Sequence, residues 1–399
     1  MIYRSISGLV GAALRPLARG VARERLALDL PDLPDLPRGA IWVHGASVGE
    51  LNSARPVVAA LAAARPVVVS ANSATGLDVA RGWGLPALRA PLDVPQGVGR
   101  FLDALQPALA ITIENELWPN RAAALTARGI PQALIGARMS ARSARSWGRV
   151  PGLAAGALAG VRLASAQDAG TEARLRALGL PAAAVAARLN LKLLTPAATQ
   201  PPATDAGRGR VWLAASTHPG EDEIALAAHA ALAARWPDAR LILAPRHPQR
   251  ADAVAALIAA RGLRHDRLGA REVAAVPPVP VLLIDRLGAL DGAYAAGGVC
   301  LTGGSLVDHG GHTPWEPAAH ACALLHGPHV ANFTADYAAL DAQGAAREVT
   351  AATLATTLAA LIADEARRRK MGTAARAALD AAAPDPAGLV TALLALARD

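Results

Sequence analysis

Twice along this chain, short apolar runs alternate with longer stretches of helical periodicity, and a break rich in proline and threonine separates the two series. The first series has apolar runs at 41–44, 66–70, 108–114, 132–137 and 161–166. The second has them at 211–215, 241–244, 281–284, 299–302 and 324–326. A run of four to seven apolar residues without polar alternation suits a strand covered on both faces, as in a parallel sheet flanked by helices. The pattern predicts an α/β protein of two Rossmann-like domains. An N-terminal domain is expected over 31–193, a linker over 194–206 and a C-terminal domain over 207–399, with the last helix able to pack back on the first domain. The 399 residues are enough for two such domains. Ligands of such sheets bind beyond the carboxyl ends of the strands, so a cleft between the domains is the expected site.

One strand end is unusually rich in glycine. Residues 303–328 read GGSLVDHGGHTPWEPAAHACALLHGP. The order implies strand, loop and helix start, with Thr313 as N-cap, Pro314 in the first helical position and Glu316 three residues after the cap. Glycine backbone and free N–H groups at a helix start favour an anion such as phosphate, here with Gly304 and Ser305 as contacts. Glu316 is placed to accept hydrogen bonds from a sugar or base. An ordinary strand–helix turn is the bland alternative. No lysine follows the glycines in the manner of a P-loop. His309, His312 and Glu316 are close in sequence, but their spacing does not fit a helical zinc motif, and no metal is expected. Cys300 and Cys322 lie in apolar runs and read as buried, reduced thiols.

Other strand ends carry charge. After 41–44 comes Gly45-Ala46-Ser47-Val48-Gly49-Glu50. Glu50 falls in a first helical turn, which favours the ionised form, able to accept a proton; the alternative is that it only complements the helix dipole. Ser47 and Gly49 beside it are candidate contacts. Glu114 ends the run at 108–114 and Glu116 comes just after it, and one of the two is expected to be structural. Arg138, Arg142, Arg145 and Arg149 are spaced four, three and four apart, which on a helix makes one basic stripe for phosphates or lipid head groups, or a solvated face. Lys192, Arg246, Ser216 and His218 also fall at or near strand ends.

The net charge is +8, which points to acidic partners. Residues 2–17 place Ile2, Ile6, Leu9, Val10, Ala13, Leu14 and Leu17 at helical spacing, beside several arginines. The segment is too short and interrupted to span a bilayer and reads as a helix lying on an anionic membrane surface, or one packed on the domain.

HGASVGE, ENELWPN, ARMSARS, NLK, STHPGEDE, PRHPQR and GGSLVDHGGHTPWEPAAH occur in one order. In this the chain resembles the 3-deoxy-D-manno-octulosonic acid (Kdo) transferases of lipopolysaccharide biosynthesis, from about residue 40 to about residue 340. The resemblance implies the two-domain glycosyltransferase B fold. It implies inverting, metal-independent transfer of Kdo from CMP-Kdo to the tetraacyl lipid A precursor, lipid IVA. No cofactor is implied, and the place is the cytoplasmic face of the bacterial inner membrane. It makes Glu50 the general base, and Glu114 and Lys192 the groups that stabilise the transition state. It assigns CMP to Pro245 and Arg246, to Leu287, Gly288 and Ala289, and to Thr313, Pro314, Trp315 and Glu316. Ala289 stands where the family usually has glutamate, Thr313 where it has asparagine, and Trp315 where it has leucine.

Two other readings compete. One is a glycosyltransferase of the same fold with a different nucleotide sugar, which donor competition separates. The other is a basic membrane-surface or nucleic-acid binding protein with a degenerate site. With 2 Phe, 3 Tyr and 7 Trp, the chain has few platforms for stacked bases, and nucleic acid is not an expected partner.

Overall fold

A computed structural model describes residues 2–29, 38–114, 116–203, 207–276 and 278–397. Residues 204–206 of the expected linker lie outside the described residues. The chain divides into two compact units: Met1–Thr195 together with Pro384–Asp399, and Pro196–Ala383.

The first unit is built on six parallel strands: β1 (Ile41–His44), β2 (Val67–Ala71), β3 (Ala87–Arg89), β4 (Leu109–Ile113), β5 (Gln132–Ala137) and β6 (Val161–Ala166). Their order is β3-β2-β1-β4-β5-β6. The second unit has seven: β7 (Val211–Thr217), β8 (Arg240–Pro245), β9 (His265–Arg267), β10 (Val281–Leu283), β11 (Val299–Thr302), β12 (Ala323–His326) and β13 (Ala346–Glu348), in the order β13-β12-β11-β7-β8-β10-β9. All the pairings are parallel. Ten of these strands coincide with the apolar runs. The other three, β3, β9 and β13, are edge strands of three residues reading ALR, HDR and ARE. An edge strand has one neighbour and less cover, so it can form without an apolar signature.

The strand order reverses between β1 and β4 in the first sheet and between β7 and β11 in the second. At such a point the connections leave on opposite sides and open a crevice at the carboxyl ends. Glu50 and Glu114 follow β1 and β4; His218 and the glycine-rich loop follow β7 and β11.

Two segments complete the first unit. The helix Ala387–Leu396 comes last, and its Leu393 is fully buried in a cluster with Ile41, Val43 and Leu51. Arg65 donates to the Ala397 carbonyl. The helix Ile2–Leu14 packs through one narrow stripe. Tyr3 Oη donates to Asp93 at 3.0 Å, Asn120 donates to Ser7 Oγ at 2.8 Å, and Gly11 is buried with a Cβ-sized gap to Val94 already closed.

Gly136 fixes the approach of the segment that carries Lys192. It lies at an irregularity of β5 with φ +55°, and a Cβ there would stand 2.5 Å from Leu191 Cδ1 and 2.7 Å from Cγ. A side chain would have to adopt the left-handed conformation and also displace Leu191. Gly136→Ala is expected to cost about 2–4 kcal/mol, read as a lower urea midpoint of unfolding. An unchanged midpoint would contradict this packing.

Candidate active site

In the first unit, Ser47 is the N-cap of the helix Val48–Ala64, and its Oγ accepts from the Glu50 N–H at 3.3 Å. The Glu50 carboxylate returns the contact. It accepts from Ser47 Oγ–H at 3.1 Å and from the Ala46 N–H at 2.7 Å. This is a capping box reaching one residue further back than usual. The bland expectation for Glu50, helix-end complement, is therefore met, yet it is not the whole account. Burial pushes the Glu50 carboxyl above its ordinary value; the Ala46 and Ser47 donors oppose this, while the charges of Glu114 and Glu116 add to it. The helix start alone suggested a carboxylate held firmly in its anionic form; its crowded, acidic surroundings instead make it a stronger base.

Glu114 and Glu116, two residues apart, have different environments. Glu116 accepts from His44 Nε2–H at 2.7 Å, from Trp118 Nε1–H at 2.8 Å and from Asn72 at 3.3 Å. Burial alone would raise its pKa. The hydrogen bonds from His44 and Trp118, with the Arg121 charge, more than reverse that and hold it below its ordinary value. Trp42 Nε1–H donates to Ser70 Oγ, which leaves the Ser70 hydroxyl to donate to His44 Nδ1 at 2.9 Å. Burial lowers the pKa of His44 and favours the neutral ring; with Nε2–H given to Glu116, Nδ1 is then bare and accepts from Ser70. Glu116 is thus the structural member of the pair. Glu114 is bound only lightly. Its backbone is left-handed, φ +59°, with its N–H on the Ile135 carbonyl, and its carboxylate lies 3.8 Å from Lys192 Nζ. Such a conformation costs a non-glycine residue about 1–3 kcal/mol and turns the side chain out of the strand direction. Lys192 sits in a 3₁₀ turn, Leu191–Leu193, whose N-cap Asn190 accepts from the Lys192 N–H at 3.1 Å.

The arginine series is not one helical stripe. The helix Ala141–Gly148 holds only Arg142 and Arg145; Arg138 follows β5 and Arg149 is the C-cap. All four are exposed.

In the second unit one acid organises the crevice. Glu221 is fully buried at the start of the helix Glu221–Arg235. Its carboxylate accepts the N–H groups of His218 at 2.9 Å, Gly304 at 2.7 Å, Ser305 at 3.0 Å and Leu306 at 2.9 Å. This corrects the expectation that Gly304 and Ser305 contact phosphate: their N–H groups are already bound to a carboxylate. The Ser305 hydroxyl is also occupied, donating to the Thr302 carbonyl and accepting from the Gly327 N–H, and the residue is fully buried.

The helix start is also different from the reading. The helix is Trp315–Ala319, five residues, with Pro314 rather than Thr313 at the N-cap. Thr313 Oγ1 still accepts from the Trp315 N–H at 3.3 Å. Pro314 and Trp315 are buried, and the indole N–H of Trp315 donates to Asp336 at 3.2 Å, so neither side chain offers itself to a ligand. Glu316 is exposed, and its carboxyl accepts from the hydroxyl of the buried Tyr294 at 3.4 Å. Crowding of that carboxyl raises its pKa; the Tyr294 bond and the Arg246 charge oppose the shift, and Asp291 adds to it. Pro245 ends β8 and is buried; Arg246 is exposed, with its N–H on the Thr217 carbonyl. Ala289 is buried, Gly288 has φ +79°, and Leu287 is 72% exposed. Ser216 bulges out of β7 with φ +58°. Both cysteines are buried. Among the described residues, no three His, Cys, Asp or Glu side chains are arranged to hold a metal ion.

Residues 21–195 match the family model of 3-deoxy-D-manno-octulosonic-acid transferase (kdotransferase). Over 354 residues, 85% of this chain and 82% of the relative, the sequence is 34% identical to the 3-deoxy-D-manno-octulosonic acid transferase of Haemophilus influenzae. The chain belongs to the Kdo transferase family. Its counterpart in Bordetella pertussis is 37% identical over 353 residues, 84% of this chain and 82% of that one. Like its relatives, this Kdo transferase is a glycosyltransferase. A glycosyltransferase from Rickettsia africae superposes with a TM-score of 0.57 over 90% of this chain and 98% of the other at 10% identity, a likeness of fold alone. The architecture is that of glycosyltransferase B, as the motifs implied.

Replacing Glu221 removes the acceptor from four inward-facing N–H groups. Glu221→Ala is expected to lower stability by about 3 kcal/mol or more and to speed amide exchange at Gly304, Ser305 and Leu306. Unaltered exchange at these amides would refute the role given to this carboxylate.

Proposed function

We propose that this Kdo transferase moves Kdo from CMP-Kdo to lipid IVA by a single inverting displacement without a metal, at the cytoplasmic face of the inner membrane. The observation that carries the reading is the grouping of Glu50, Glu114 and Lys192 at the switch point of the first unit. Glu50 feels the Glu114 charge, and Glu114 lies 3.8 Å from Lys192. The acceptor hydroxyl oxygen attacks the anomeric carbon of Kdo. Its proton passes to Glu50. The bond to phosphate breaks, its electron pair goes to the phosphate oxygen, and CMP leaves. Glu114 offsets positive charge developing on the sugar ring, and Lys192 the negative charge of the donor. CMP is assigned to the second unit, beside Arg246, Glu316, Thr313 and the backbone of Leu287, Gly288 and Ala289. Ser47, Gly49, Ser216, His218, Arg138 and Arg142 are further contacts for phosphate or acceptor.

Because Glu50 works as a base from a raised pKa, transfer should increase as pH rises through that value and level off above it. Glu50→Gln is expected to keep the fold and lose about 10²–10⁴ in turnover. Mass spectrometry of lipid products from CMP-Kdo and lipid IVA reads this directly and counts the Kdo residues added. Near-normal product from the variant would reject the mechanism. No product from the unaltered enzyme would reject the acceptor.

The membrane reading has its own support. The helix Ile2–Leu14 turns Tyr3, Ser7 and Gly11 to the protein and leaves Ile2 77%, Ile6 59% and Leu9 72% exposed, with Leu17 at 76% just beyond. A helix that presents its apolar side to solvent, flanked by Arg4, Arg15 and Arg19, suits the boundary of an anionic bilayer. Ile6→Asp with Leu9→Asp should leave the thermal midpoint unchanged and abolish sedimentation with vesicles containing anionic phospholipid. Undiminished sedimentation would exclude this helix as the anchor.

A further inference from the structure

Four histidines from three loops meet at the crevice of the second unit, and the mechanism above uses only one of them as a candidate contact. His218 Nε2 and His312 Nε2 are 2.9 Å apart, with the two rings 5.2 Å apart and 12° from parallel. His309 stacks on His218 at 4.1 Å, and His247 meets the same ring edge-on at 6.2 Å. Gly304 lies under the group. A Cβ there would come within 3.3–3.4 Å of His312, His218 and His309. His218 and His312 are half-buried, His309 and His247 exposed, so the cluster is open to a ligand.

We propose that His218 and His312 form a proton-accepting anion site, which takes up one proton from solution when the phosphodiester group of the nucleotide donor binds. The inference rests on the assignment of the nucleotide to this unit. The facing nitrogens share one hydrogen, so one ring donates through Nε2–H and the other accepts through a bare Nε2. In the uncharged pair, the donating ring has a bare Nδ1. A proton added there makes a cationic pair that keeps its central hydrogen bond and has an N–H on both Nδ1 atoms. No other bond changes.

The surroundings explain why the proton waits for the ligand. Burial lowers the pKa of both rings, that of His312 to about 4. His309 and His247 oppose a charge on either ring, Arg250 opposes one on His218, and Arg246 opposes one on His312; among the named charges only Glu221 favours one on His218. Glu221 is already bound to four N–H groups, and Arg250 is paired with the buried Asp222. An anion beside Arg246 adds the missing negative charge and makes the protonated pair favourable. Protonation is then part of binding: affinity rises as pH falls toward 6 and weakens as pH rises, by up to about tenfold per pH unit for one linked proton.

Calorimetric titration with the methyl ester of CMP tests this. That phosphodiester carries one fixed negative charge and no proton that titrates near neutrality. Titrations at pH 7 in several buffers of different ionisation enthalpy give the number of protons taken up, with cytidine as the uncharged control. The expected result is an uptake approaching one proton for the diester and none for cytidine. His312→Asn and His218→Gln should each bring the diester's uptake to near zero and flatten its pH dependence. Both are at the surface of the crevice, and either suffices if the other does not fold. Binding of the diester without uptake, or equal uptake in the variants, overturns the proposal while leaving the nucleotide site in place. No binding of either probe by the unaltered protein overturns the nucleotide assignment, and the proposal with it.

Discussion

A single buried carboxylate, that of Glu221, holds together the loops that follow β7 and β11. An ionised acid removed from water is costly unless its lone pairs are fully used, and here four backbone N–H groups use them. One oxygen accepts from both His218 and Gly304, so it ties the end of one strand to the end of its neighbour. The glycines are needed because backbone must approach backbone: a Cβ on Gly303 would collide with the Ser216 carbonyl, and one on Gly327 with that of Ser305. The loop looks like an anion cradle because it is one. Its anion is a side chain of the protein.

The first unit solves a similar problem with Glu116. His44, Trp118 and Asn72 converge on that carboxylate from β1, the segment after β4 and the loop after β2. With Glu116 bound in place, Glu114 stands in a left-handed turn, near a lysine and close enough for its charge to act on Glu50. In each unit one acid is fixed by its donors, and the groups suited to a ligand stand on the backbone it fixes.

Much of this was legible in the sequence, for physical reasons that can be named. Nine strands announced themselves because strands inside a parallel sheet must be apolar on both faces; β6, a tenth, is an edge strand whose sequence is apolar all the same. β3, β9 and β13 did not, because an edge is partly polar. Ser47 and Glu50 could be placed at a helix start from their spacing, since capping is local. The fates of Gly304, Ser305 and Trp315 could not be read, because Glu221 lies 83 residues from Gly304 and Asp336 lies 21 from Trp315. Hydrogen bonds between distant segments have no signature in either one. The same holds for the histidines. His309 and His312 drew notice only as neighbours in sequence, with Glu316 as a third member. The fold instead pairs His312 with His218, 94 residues earlier.

The helix Ala387–Leu396 belongs to the first unit although the whole second unit precedes it in the chain. During synthesis, then, the first unit emerges from the ribosome with part of its core uncovered. Leu51 and Val43 lack the Leu393 contact until nearly two hundred more residues have been made. The second unit is continuous in sequence and can close as soon as its own residues are out, so the half that is begun first is the half that is finished last.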